Sequence, residues 1–254
     1  MHLHINFLTT TTYNTLENNI PLTEKEKEAA ETRQRILDQS EKMFMKLGIR
    51  SITMDDLARN LGISKKTIYQ YFKDKDDLVH QMCENHFTCE KLEWERIEAE
   101  SENALQQLVL MVKFFLNEAG QVNPSLLYDL QKYHPKSWAL FNDTKRFDHR
   151  ASIERLLIRG ISDGLFRPEI NTKILSQFRM VSVEMGFDHN ALSPAEFHPI
   201  EVQIALLDVF VRSILNKKGM EEWEKMEGDI FKIFNNAIAS LSSFNHLNRI
   251  AFNQ

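Results

Sequence analysis

The sequence predicts an all-α protein of two domains, a small N-terminal one and a larger helical one. Three observations carry this. Only eight glycines and six prolines punctuate 254 residues, and long stretches are rich in Leu, Glu, Lys and Ile, which favour helix. Apolar residues recur at three- and four-residue spacing along most of the chain. With 43% hydrophobic and 26% charged residues a packed core is feasible, and the length suits two domains, since single ones commonly run about 100–150 residues. The expected division is a mobile extension over 1–22, the small domain over 23–74 and the large one over 75–254.

Residues 1–22 lack a helical period, and Pro21 closes them. From Thr23 a charged run leads into Ile36, Leu37, Ser40, Met43, Phe44 and Leu47, one face of an amphipathic helix. Gly48 ends it, because glycine tolerates a positive φ past a helix C-terminus. Thr53 caps a second helix over about Met54–Asn60, with Asp55 and Asp56 complementing its dipole and Leu57, Ala58 and Leu61 inward. Gly62 makes the turn and Ile63 enters the core. Ser64 caps a third helix in which Ile68 and Phe72, four apart, share the buried face.

Lys65, Lys66, Thr67, Tyr69, Gln70 and Tyr71 then cannot all be buried. Lysines and a threonine in the first turn of such a helix sit where base edges and phosphates are read in helix-turn-helix complexes. The net charge of −5 argues against nucleic acid only on average. Between Arg59 and Lys75 the basic residues are Arg59, Lys65, Lys66, Lys73 and Lys75, against Asp74 alone, so a basic tip stands on an acidic body.

The stretch ILDQSEKMFMKLGIRSITMDDLARNLGISKKTIYQYFKDKDDLV resembles the N-terminal domain of the TetR family of bacterial regulators. The match covers about Thr32 to Phe87, roughly a fifth of the chain. Ser40 departs from the family's usual alanine, and both are small. The resemblance implies an N-terminal three-helix helix-turn-helix domain joined by a long helix to a larger helical-bundle effector and dimerisation domain, in a repressor that works as a homodimer on a palindromic operator in double-stranded DNA and is released by a small-molecule effector of unknown identity. It places Thr53, Lys65, Lys66, Thr67, Tyr69, Tyr71 and Lys75 at DNA, with Ser64 as the cap beside them. Lys66 and Thr67 are assigned to base edges; Lys65, Tyr69, Tyr71, Lys75 and the Thr53 hydroxyl or amide are assigned to phosphates.

Beyond Asp74, Leu78, Met82, Phe87, Leu92 and Ile97 sustain a connecting helix. Further helices are expected over Ala104–Glu118, Pro124–Tyr133 with Asn123 as cap, Asn142–Gly164, Thr172–Phe187, Pro199–Leu215 and Glu221–Leu241. Candidate effector-pocket residues are Phe114, Tyr128, Trp138, Phe141, Phe147, Phe178 and Met180, since between-helix cavities lined by apolar and aromatic residues hold small ligands. Pro199–Leu215 carries more apolar surface than one core-facing stripe needs. It and the last helix are therefore expected to dimerise through Ile204, Leu207, Val211, Phe231, Phe234 and Ile238.

Catalysis is not expected. The sequence holds no H-E-x-x-H, glycine-rich phosphate loop, G-x-S-x-G or C-x-x-C. Glu184 with Asp188 and His189, and Glu196 with His198, form isolated acid–histidine groups, and neither a metal nor another cofactor is expected. Cys83 and Cys89, six apart on one helix, point in different directions and should not pair. No run approaches the roughly 18 apolar residues of a membrane span, and the N-terminus has no secretion signal, so the expected address is the cytoplasm.

Overall fold

The structure, a computed structural model, describes residues 23–119, 123, 125–187, 192–193, 196–197 and 199–226. The expected extension over 1–22, Asp188, His189, His198 and the second half of the proposed dimer surface, Phe231, Phe234 and Ile238, lie outside them. Among the described residues there is no strand beyond an isolated bridge between Phe166 and Leu215.

The first helix, α1 (Glu24–Leu47), begins at a capping box: Thr23 Oγ1 accepts from the Glu26 amide while the Glu26 carboxylate accepts from Thr23 N at 2.8 Å. Ile36, Leu37, Ser40 and Phe44 are buried as expected. Ser40 is tolerated there because its hydroxyl donates to Ile36 O at 2.7 Å. Leu47, expected inward, is exposed. The chain turns at Gly48, with φ 81° and an extended ψ of 152°, and Ile49 is the residue that is buried next.

After α1 come α2 (Met54–Leu61), α3 (Lys65–Tyr71) and the long α4 (Lys75–Glu100), then α5 (Ala104–Ala119), α6 (Ser125–Tyr133) and α7 (Pro135–Thr144). A π-helical turn over Lys145–His149 leads into α8 (Arg150–Ser162), followed by α9 (Thr172–Phe187) and α10 (Pro199–Ile214). Residues 217–226 are helical too. The expected helix from Asn142 is thus corrected: helical backbone begins at Pro135, because proline at a first helical position starts a helix as readily as it ends one. The last helix likewise begins at 217, ahead of the expected Glu221.

The chain divides into two compact units, and the division is not at residue 74. One comprises residues up to Glu93 together with Gln121–Asp143; the other comprises Trp94–Gly120 and everything from Thr144. In the first unit α1, α2, α3 and the start of α4 enclose Phe44, Leu57, Ile68, Phe72 and Leu78, and Leu126 and Leu130 of α6 complete the same core. In the second, Leu105, Leu156, Leu157, Phe210, Val211 and Ile214 form the centre of a separate core. There the segment after α8 is tied to the end of α10: Arg167 N donates to Ile214 O and Asn216 N to Leu165 O, at 2.9 and 3.1 Å.

Cys83 and Cys89 are both free thiols. Burial pushes the Cys83 thiol up to about 12, so its reactive thiolate is scarce at neutral pH.

Candidate nucleic-acid interface

Local chemistry builds the α2–turn–α3 unit. Thr53 Oγ1 accepts from Asp56 N at 3.1 Å, and Asp56 Oδ2 accepts from Thr53 N at 3.0 Å and from the Thr53 hydroxyl at 2.6 Å. Those hydrogen bonds hold the Asp56 carboxyl below its usual range. They also engage both the hydroxyl proton and the amide of Thr53, the two donors assigned to a phosphate. The structure therefore places Thr53 as a cap, and a phosphate would have to compete with Asp56 for it.

At the other end of α2, Gly62 adopts φ 67° and ψ 27°, a left-handed conformation that costs glycine nothing. Its N–H donates to Arg59 O and that of Ile63 to Ala58 O, the paired bonds of a Schellman motif, at 3.3 and 3.0 Å. Ile63 packs half-buried against the core. Ser64 then starts α3, its Oγ accepting from Thr67 N at 3.0 Å and lying 2.8 Å from Thr67 Oγ1. Only one proton can lie between two hydroxyls, so the other remains available to an outside acceptor.

Ile68 is fully buried and Phe72 almost so. With that side anchored, Lys65, Lys66, Tyr69 and Gln70 are exposed. Lys65 Nζ lies 2.8 Å from Asp55 Oδ2, an exposed pair that an incoming phosphate can replace, since such pairs are weak and screened by salt. Lys66 makes no ion pair among the described residues. Gln70, absent from the expected contacts, stands four residues after Lys66, on the same face, and a glutamine amide can pair with an adenine edge.

Two expected contacts sit differently. Tyr71 is half-buried against the core of the first unit, not turned fully outward like Tyr69. Lys75, assigned to a phosphate, is turned inward: its Nζ donates to Ile49 O at 2.7 Å and Ile52 O at 2.5 Å and lies 5.8 Å from the Phe44 ring centroid. The carbonyls of the 49–52 turn are the nearest acceptors once α4 starts beside them, and burial lowers the ammonium's pKa. Lys75 is a staple behind the reading helix.

Residues distant in sequence fasten the same head. Asn123 N donates to Met45 O at 2.6 Å, Asp129 Oδ2 accepts from Arg50 N at 3.0 Å, and His134 Nδ1 lies 2.6 Å from Asp76 Oδ1. Only buried Asp129 carried a sequence signal, an acid among apolar residues of a helix.

The seven expected pocket residues are divided between the two units. Tyr128, Trp138 and Phe141 belong to the first unit. Tyr128 is exposed there, its hydroxyl accepting from Lys132, and Trp138 stacks on Phe141 at 5.2 Å. In the second unit Phe147 and Phe178 are exposed, while Phe114 and Met180 pack in the core. The expected dimer residues on α10 are corrected as well: Leu207 and Val211 are buried inside the chain's own core, and Ile204 packs against it. The face of α10 that carries Leu207, Phe210, Val211 and Ile214 is buried in the second unit's own core, while Val209 of the same helix is exposed. Among the described residues no cluster of His, Cys, Asp and Glu could hold a metal, and no helix is long and apolar enough to cross a membrane.

Two capped helices meeting at a glycine turn, with the second anchored beneath and basic above, define a helix-turn-helix DNA reader. Residues 36–82 match the family model of bacterial regulatory proteins of the tetR family. An uncharacterized HTH-type transcriptional regulator, YvaF of Bacillus subtilis (strain 168), is 37% identical over 182 residues, which is 71% of this chain and 94% of that protein. A TetR-family regulator from Agrobacterium tumefaciens shares the fold with a TM-score of 0.59 at 17% identity, over 74% of this chain and all of that one. A regulator from Saccharomonospora viridis in complex with choline does so at 0.57 and 21%, over 74% of this chain and 100% of its own. The chain belongs to the tetR family and is a DNA-binding transcription regulator.

Proposed function

We propose that the chain is a cytoplasmic repressor without enzymatic activity that holds a palindromic operator as a homodimer and releases it when a small molecule occupies the second unit. The observation that carries the DNA end is the polarity of α3: Ile68 and Phe72 beneath, Lys65, Lys66, Tyr69 and Gln70 above. Seated in the major groove, α3 directs Lys66, the free proton of the Ser64–Thr67 pair and Gln70 to base edges, with Lys65 and Tyr69 on phosphates. Tyr71 adds a phosphate contact only at the edge of its half-buried ring. Two heads reading half-sites one turn apart need a separation of about 34–36 Å.

The test uses a duplex selected by the protein from a random pool. A Lys65→Ala/Lys66→Ala variant is expected to bind it roughly 10- to 100-fold more weakly, with the salt dependence flattened by about one to two ions released. Unchanged affinity at two salt concentrations sinks the assignment.

The homodimer rests on α9 rather than α10. Ile174, Phe178, Val181 and Met185 are all exposed, and their spacing of four, three and four puts them on one stripe. A continuous apolar stripe on the surface calls for a covering partner, and a second copy, two-fold related, presents an identical stripe to it. Light scattering should give twice the chain mass at micromolar concentration, and Phe178→Asp should halve it. A wild-type monomer contradicts the proposal. The effector is assigned to the second unit because between-helix cores of this kind accept small molecules, and one fold neighbour is in complex with choline.

A further inference from the structure

Arg179 lies on α9 with only 8% of its surface exposed. Its Nη1 reaches Ser182 Oγ at 3.4 Å, a long contact, and its guanidinium lies 5.9 Å from the centroid of Phe210 on α10. Among the described residues no carboxylate pairs with it, and no charged neighbour contributes to its shift. The Ser182 hydroxyl proton is directed to Arg179's own carbonyl at 2.7 Å. Burial pushes the guanidinium's pKa down to about 10, so at neutral pH it remains a cation. A buried cation without a counter-ion is costly.

Its surroundings share the same incompleteness. Gln203 of α10 is almost fully buried and donates its amide to Val183 O at 2.8 Å, one turn beyond Arg179, yet its Oε1 has no donor. Gln203 and Phe210, seven apart, lie on one face of α10. Arg179 is five positions from Ile174, hence turned about 140° from the apolar stripe of α9. A second copy covering that stripe does not reach the guanidinium.

We propose that Arg179 is the anion-recognising residue of the effector site, so that the effector is an organic monocarboxylate with an apolar body. The inference rests on the effector reading above. A planar carboxylate matches two N–H groups of a guanidinium, and a single cation neutralises a single negative charge, which favours a carboxylate over a phosphate ester. Phe210 and the core around it require the rest of the molecule to be apolar, and Gln203 Oε1 can accept from one hydroxyl or amine on it.

The test measures thermal shift and release of the selected operator duplex with full-length protein and three probe classes: octanoate and benzoate, the matching alcohols, and choline. The acids are expected to act at concentrations at least tenfold lower than the alcohols. Arg179→Met should remove that preference and, by deleting an unpaired buried charge, melt no lower than wild type. A lower melting temperature for Arg179→Met overturns the proposal by making the arginine a structural element. Acids acting equally on both proteins, or release by alcohols or choline without an acid response, overturns it while leaving the effector reading in place. Silence across all three classes overturns both.

Discussion

Ile68→Ala is expected to destabilise the first unit by about 2–5 kcal/mol, the range for truncating a fully buried aliphatic side chain. The melting transition of that unit should then fall by at least about 8 °C. The size follows from how little else holds α3. A helix of seven residues cannot persist by its own backbone bonds in water, so its orientation comes from Ile68 and Phe72 set into the core shared with Leu57 and Leu78. Without Ile68 the exposed lysines lose their fixed direction, and affinity for the selected duplex should fall although no contacting residue has changed. Ile68→Val, costing only about 0.5–1.5 kcal/mol, supplies the graded control. A melting temperature for Ile68→Ala within a degree of wild type contradicts the anchoring.

Lys75→Met is expected to cost about 2–4 kcal/mol. Two carbonyls, Ile49 O and Ile52 O, lose a charged donor, each loss worth about 1–3 kcal/mol. Relief from burying the ammonium offsets part of this, and methionine retains most of the packing against Phe44. The measurement separates a staple from a DNA contact. A staple lowers the melting temperature and leaves the salt dependence of binding unchanged, whereas a phosphate contact lowers that dependence by about 0.9 ions and leaves the melting temperature alone. The first outcome is expected.

The caps at Thr53 and Ser64 and the turn at Gly62 were legible in the sequence because each depends on residues within three or four positions. The buried pair Ile68 and Phe72 followed from helical spacing alone. Lys75 and Tyr71 were misplaced for a physical reason: spacing says which residues share a face, but only tertiary packing says how a long side chain bends, and the Lys75 stem reaches carbonyls more than twenty residues back. Pro135 opens α7 ahead of the expected start at Asn142, since proline fits the first position of a helix. Leu207 and Val211 of α10 pack inside their own unit, and one sequence does not distinguish a neighbouring helix from another subunit. Arg179 stood unnoticed because a single arginine in a helix looks like a solvated charge until its burial is known.

The reading head is assembled from two stretches of chain, with Leu126, Leu130, Asn123 and Asp129 closing what α1 to α4 begin. This has a consequence during synthesis. A ribosome that has produced residue 74 must add about 70 more before Asp143 is made, roughly 3–14 s at ordinary elongation rates. Until α6 is made, the core around Phe44 lacks Leu126 and Leu130. Nascent chains interrupted near residue 120 carry the whole recognition helix yet not its cover, so they are substrates for chaperones and proteases before they are competitors for the operator.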